Sequence, residues 1–246
     1  MIFHKQVGNG TKIVVGIHGW GGSVGTFLPL EDKIPESHMM INFDLPGYGK
    51  STKPNHWNLE SIIDDLAIEL ENLGHNTVDI LGNCSGALMA ILLSQSPKLN
   101  VNNLYLIDPF AESPWYFRIF INRLIGSYAY SITFQNPLGR IITNLSLIKN
   151  RQEDTDMTSS FRDIDKETSI SYLRMLISLE GSSVMENINC KPTIINGKNT
   201  FKTAKQSVKY YQSIWPNLNQ IILPDVGHLP LEENPQEISR IVFDSS

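Results

Sequence analysis

Short apolar runs alternate with segments of helical period along most of this chain, and that alternation restricts it to a parallel sheet with crossover helices. The runs are Lys12 to Ile17 (KIVVGI), Met39 to Phe43 (MMINF), Thr77 to Leu81 (TVDIL), Asn103 to Ile107 (NLYLI), Thr193 to Asn196 (TIIN) and Gln220 to Leu223 (QIIL). Each is largely apolar throughout, as expected of a strand covered on both faces; a half-exposed strand would alternate. Between them, apolar residues recur at Leu59, Ile62, Ile63, Leu66, Leu70 and Leu73, one face of a helix that Gly74 stops. Ala87 to Leu93 forms another helix, and the segment NPQEISRIVF forms the last.

The alternation breaks once, between Ile107 and Thr193. Trp115 to Ile142 is rich in Trp, Phe, Tyr, Ile and Leu; a charged stretch (KNRQEDTDMTSSFRDIDKE) follows, and then a helical pattern from Ile170 to Leu179. This predicts an α/β core made of residues 1–110 and 189–246, with residues 111–188 inserted as a helical cap over the end of the sheet. Most of the aromatics are expected to be ordinary core packing, and those on the underside of the cap to line an apolar pocket.

Charge and cysteine usage narrow the partners. With a net charge of −5 and no Lys/Arg run longer than two, the chain has no electrostatic footprint for nucleic acid or for an anionic membrane surface. The start MIFHKQVGNG lacks the parts of a signal peptide, and no window reaches the roughly 18 apolar residues of a membrane span. A cytoplasmic protein acting on a small molecule is expected. Cys84 and Cys190 are the two cysteines, isolated and read as free thiols, with no neighbour at metal-ligand spacing. There is no Gly-x-Gly-x-x-Gly after a strand and no Walker-type loop, so no cofactor and no metal is expected.

The chemistry concentrates in Gly82-Asn83-Cys84-Ser85-Gly86, between a strand and a helix. A sharp strand-to-helix turn forces its central residue into strained backbone angles, and the residues two places away must be small for it to close. That frame centres on Cys84; centred on Ser85 it would put Asn83 at a small position, where it fits poorly. Ser85 therefore contributes its backbone N–H, which at a helix start can hold an oxyanion beside the nucleophile. A second N–H should come from the turn after the first run, IHGWGG, and is assigned to Trp20. His18 in that turn is read as structural.

These segments, together with DLPGYGKS (Asp44 to Ser51) and DVGHLPLEENP (Asp225 to Pro235), resemble the α/β-hydrolase superfamily, and most of all its small esterases with a helical cap. The likeness runs in the right order over nearly the whole chain outside the cap. It implies an α/β-hydrolase fold and a triad of elbow nucleophile, acid and late His in which the late His is His228. Asp44 is read as part of a structural loop, and His4, His38, His56 and His75 as solvated.

Two departures from the family pattern matter. The nucleophile is Cys84 where Ser is usual, and a thiol paired with an imidazole at a helix start favours a thioester intermediate. The acid is missing from its usual turn, Gly197-Lys198-Asn199-Thr200, where Thr200 stands in place of Asp. The resemblance implies another place for it, after the strand that follows the elbow helix, where the chain has Asp108; Glu112 and Asn199 remain open as alternatives. The expected activity is hydrolysis of an acyl ester or thioester, free or carrier-bound, through acyl-Cys84. Acyl transfer to an acceptor other than water and non-catalytic ligand binding are the other readings. The aromatic and aliphatic content of Trp115 to Ile142 points to an apolar acyl chain or ring.

Overall fold

The computed structural model describes residues 1–152, 155–162 and 164–244. Glu153, Asp154 and Asp163, part of the charged stretch noted above, lie outside them. The strands are β1 (His4–Gly8), β2 (Lys12–Ile17), β3 (His38–Phe43), β4 (Thr77–Asn83), β5 (Asn100–Ile107), β6 (Lys191–Gly197) and β7 (Asn219–Leu223). They form one sheet in the order β1-β3-β2-β4-β5-β6-β7, in which the β1–β3 pairing is antiparallel and the rest are parallel. Six strands match the apolar runs to within a few residues. β1 (HKQVG) was not anticipated: it is an edge strand with largely polar side chains and carries no apolar run to read.

The helices are α1 (Leu59–Asn72), α2 (Gly86–Leu93), α3 (Phe117–Ile121), α4 (Gly126–Tyr130), α5 (Pro137–Ser146), α6 (Lys166–Ser178), α7 (Lys202–Ile214), α8 (Pro230–Glu233) and α9 (Pro235–Phe243). Asn58 caps α1 by accepting from Ser61 N–H, and the helix ends at Gly74, whose φ of 81° suits a residue without Cβ. Its buried stripe, Ile62, Ile63, Leu66, Ala67 and Leu70, packs on one face of the sheet with Val15, Ile17, Ile80, Leu104 and Leu106. The other face buries Val14, Leu81, Tyr105 and Ile107 beneath α9. Adjacent strand residues thus enter opposite cores, which is why the runs are apolar without alternation. Each such side chain contributes roughly 1.5–3 kcal/mol. Truncating the fully buried Leu66 to Ala would cost about 2–5 kcal/mol.

Parallel pairing brings the strand ends into one row: Ile17 stands beside Gly82, Asn83 beside Ile107, and Ile107 beside Ile195. Segments leaving these ends converge on the crevice where strand order reverses about β2 and β4, the usual place for a site in such a sheet.

Between β5 and β6 lie α3 to α6 and short turns. Phe120, Tyr130 and Phe134 are buried there as expected, with Phe161, Ile170 and Leu173, but Trp115, Tyr116 and Tyr128, also expected to pack, are exposed. Leu124, Ile132, Leu138 and Ile142 are exposed, and α5 buries no residue at all. His38 is also corrected: it is buried on β3 with its ring against Phe243, not solvated. Among the described residues, no helix is long and apolar enough to cross a membrane.

Candidate active site

The elbow takes the strained form that its spacing predicts. Cys84 has φ 54°, in the left-handed region that non-glycine residues rarely enter, and its N–H donates to Ile107 O at 2.8 Å, tying the turn to the end of β5. A Cβ on Gly82 would run into Ala87 and Ala90, and one on Gly86 into the His18 carbonyl. Both positions are therefore restricted to glycine by close approach of backbone and helix.

Four chain segments meet at the His228 imidazole. His228 is buried on the loop between β7 and α8, and its Nε2 lies 3.3 Å from Cys84 Sγ. On the other side of the ring, Nδ1 lies 3.0 Å from Asp108 Oδ2 and 3.0 Å from Thr200 Oγ1. A single Nδ1 proton therefore faces a carboxylate and a hydroxyl together. Asp108, fully buried with φ 44°, is fixed by its N–H to Ile195 O at 2.9 Å and by Asn196 Nδ2, which donates to Oδ1 at 2.8 Å.

Of the three candidates for a partner to His228, the structure brings Asp108 to the imidazole. Glu112 and Asn199 are exposed, and Asn199 is engaged through its backbone, donating to Val226 O and accepting from Asn150 Nδ2. Sequence reading missed two members of this cluster. Thr200 was noted as occupying the acid's usual place, and its hydroxyl reaches the imidazole from there. Asn196 was foreseeable from register, because it follows Ile195, which pairs with Ile107 immediately before Asp108.

The electrostatics keep a proton on the imidazole. Burial works against the imidazolium, but the charge on Cys84, the hydrogen bonds to Asp108 and Cys84, and the Asp108 charge outweigh it and raise His228 to about 10. His18 is pushed the opposite way. Burial lowers it to about 4, against the Gly19 carbonyl and Asp44, so it stays neutral, with Nδ1 against Gly19 O at 2.8 Å and Nε2 accepting from Leu45 N–H at 3.0 Å. Asp44 is structural as well, its two oxygens accepting from Val24 and Lys50 N–H. Cys190 lies apart from these contacts, and burial pushes its thiol up.

Trp20 and Ser85 meet in a way the sequence did not indicate. Ser85 starts α2, so its N–H is at the helix N-terminus beside Cys84, while its hydroxyl accepts from Trp20 N–H at 2.6 Å. The indole of Trp20 leaves this turn and enters the aromatic cluster between β5 and β6, donating from Nε1 to Ser169 O at 2.8 Å and packing on Phe117, Phe134 and Phe161.

The His228 loop is held from the same region. His228 N–H donates to Asn150 O at 2.7 Å, and Glu233 accepts from both Gly227 and Gln152 N–H. Phe110 and Phe201 flank the imidazole. Above Cys84 and His228 opens a cavity of about 500 Å³ lined mainly by apolar side chains, among them Leu88, Phe110, Phe117, Phe134 and Met157, with Glu180 and Glu232 on its wall.

Comparison with known proteins agrees with this architecture. The chain is 30% identical over 108 residues to a pimeloyl-[acyl-carrier protein] methyl ester esterase of Neisseria meningitidis, a match spanning 44% of this chain and 33% of that protein. It is also 30% identical over 101 residues to a (lyso)-N-acylphosphatidylethanolamine lipase of Mus musculus, spanning 39% of this chain and 30% of that one. These matches take in about a third of each relative's length. The solved structure of Rv0554 from Mycobacterium tuberculosis superposes with a TM-score of 0.80 at 20% identity, covering 99% of this chain and 92% of that one. A family profile described as alpha/beta hydrolase fold matches residues 12–235, and with the sheet order and elbow described above, the chain belongs to the α/β-hydrolase family.

Proposed function

We propose that the protein hydrolyses carboxylic esters or thioesters through a covalent acyl-Cys84 intermediate, with His228 as the proton carrier and Asp108 as the group that orients it. The observation that carries this reading is the continuous line from Asp108 Oδ2 through the imidazole to Cys84 Sγ, with separations of 3.0 and 3.3 Å, beneath an apolar cavity. Sγ, as thiolate, attacks the substrate carbonyl carbon, and the C–S bond forms as the carbonyl π pair moves onto oxygen. The N–H groups of Trp20 and Ser85 receive that oxyanion. Collapse expels the alcohol or thiol, which takes the proton from His228 Nε2. Water, losing a proton to the now neutral imidazole, attacks the thioester, and the second collapse releases the acid and returns Cys84.

In this reading residues 111–188 act as a lid over residues 1–110 and 189–246, and the apolar lining selects an aliphatic or aromatic acyl group. Similarity to an esterase named for a carrier-bound substrate supports a carrier-linked acyl chain as one form of that substrate. Acyl transfer is the second reading, favoured by the cysteine, because a thioester is captured by amines, thiols or positioned hydroxyls more readily than an oxygen ester. The reading as a non-catalytic binder rested on Thr200 standing in the acid's place. The contact between Asp108 and His228 puts a carboxylate beside the imidazole and supports the catalytic reading over that one. The test is turnover of p-nitrophenyl esters of graded chain length, with and without an added alcohol, amine or thiol. Hydrolysis that needs both Cys84 and His228 supports the proposal, and acylated acceptor as the main product favours transfer. No turnover of any ester or thioester would overturn both.

A further inference from the structure

Helix α5 is amphipathic the wrong way round for a globular protein. Leu138, Ile141, Ile142 and Leu145 recur at helical spacing and form one stripe about 100° wide. All four are more than half exposed, at 70%, 56%, 67% and 59%. The opposite side, with Thr143 and Leu147, faces the cavity, and Arg140 turns back to the carbonyls of Phe134 and Gln135. The flanking segments also expose apolar side chains, Leu124 and Ile125 before the helix and Ile148 after it. Among the described residues no part of the chain covers this stripe, and monomeric proteins rarely leave such a patch without a use.

Charge indicates what covers it. From residue 113 to 152 the chain carries Arg118, Arg123, Arg140, Lys149 and Arg151 and no Asp or Glu, although the whole protein has a net charge of −5. The rest of the molecule is therefore more acidic than the total suggests. Arg118 pairs with Glu180 and Arg140 turns back to backbone carbonyls, while Arg123 and Lys149 are exposed on the segments flanking α5. Cations beside an apolar face on an otherwise acidic body orient that face toward an anionic surface. Projecting Leu and Ile with Lys and Arg nearby in the chain is the composition of helices that lie in a bilayer interface. Trp115 and Tyr128, exposed on the same insertion, are of the types that sit at the headgroup level of a bilayer.

We infer that the face formed by α5 and its flanking segments docks on an anionic lipid bilayer, with Leu138, Ile141, Ile142 and Leu145 entering the acyl boundary and Arg123 and Lys149 meeting lipid headgroups. The whole-chain charge conceals this site, which is why composition argued against a membrane surface. Docking stands on the surface alone and needs no chemistry at Cys84. With the cavity wall on the same helix, it brings the pocket to the source of an apolar substrate.

The experiment is co-sedimentation of the full chain with vesicles of phosphatidylglycerol mixed with phosphatidylcholine, and with pure phosphatidylcholine vesicles, at low and high salt. Two variants accompany it: Leu138→Gln with Ile142→Gln and Leu145→Gln, and Arg123→Gln with Lys149→Gln. Circular dichroism checks that they fold, and hydrolysis of a short water-soluble ester, which should stay within twofold of the parent, checks the site. The expected result is salt-sensitive binding to the anionic vesicles, reduced tenfold or more by the apolar variant and several-fold by the charge variant. Absence of binding to either vesicle, or equal binding by the apolar variant, overturns the inference. So does concentration-dependent dimerisation, or capture of an acidic acyl carrier protein, that the apolar variant abolishes while vesicles are ignored. Failure of ester hydrolysis with vesicle binding intact would count against the catalytic proposal and leave this one standing.

Discussion

Asp108 and Thr200 approach the same nitrogen of His228 from different strand ends, each at 3.0 Å. The carboxylate comes from the end of β5 and the hydroxyl from the loop after β6, where the family commonly keeps its acid. Both positions therefore reach the same ring nitrogen, and this chain has its carboxylate at the first.

That shared reach is open to a direct trade. Asp108→Asn should lower kcat/KM by about 10²–10⁴, as loss of an orienting carboxylate does in related triads. Adding Thr200→Asp should recover tenfold or more by returning a carboxylate to Nδ1. Steady-state kinetics on one activated ester measures both, and a double variant no faster than Asp108→Asn would contradict the assignment.

The pH profile follows from the direction of the His228 shift. With its proton held until about pH 10, the imidazolium that protonates the leaving group persists through the range in which an ordinary imidazole, near 6.5, would lose it. The sign is that activity belongs to the protonated form, so kcat/KM should stay level from about pH 7 to 9 and fall toward 10. Asp108→Asn should move the alkaline limb down. An activity that instead rises through a pKa near 6.5 would mean that neutral His228 deprotonates a thiol, contrary to this account.

Ser85 should affect binding more than chemistry. In the free protein its hydroxyl accepts from the Trp20 N–H that the proposed mechanism assigns to the substrate oxygen. Ser85→Ala removes that competitor, and since one hydrogen bond is worth about 1 kcal/mol net, KM should fall about fivefold with kcat little changed. A tenfold loss of kcat would show instead that the hydroxyl itself donates to the oxyanion.

Gly227→Ala tests how the His228 loop is held. A Cβ there would meet Asn150 O and the Arg151 backbone, so either that turn or His228 must move. Thermal unfolding should register a loss of about 1–3 kcal/mol, and activity should drop further than stability explains. A variant with unchanged Tm and kcat would mean that the 150–152 turn does not hold the loop.

The sheet was legible because strands covered on both faces must be apolar throughout, and Cys84 and His228 because backbone strain and chain order leave few alternatives. Thr200 was hidden because spacing does not say which loop reaches the imidazole, and Asn196 is read only once the register of β6 against β5 is known. α5 misled most. Leu138, Ile141, Ile142 and Leu145 have the period of a buried face, and periodicity says that one side of a helix is apolar without saying whether protein lies against it. His38 was misread because its neighbour in space, Phe243, is far away in sequence.

The central claim is that Cys84 carries the acyl group, and the most direct measurement is intact-protein mass after rapid acid quench during turnover of an activated ester. The account predicts one adduct of the acyl mass, mapped to Cys84 by digestion and absent, together with turnover, from Cys84→Ala. An adduct mapped to Ser85, or full activity of Cys84→Ala with no adduct, would contradict it.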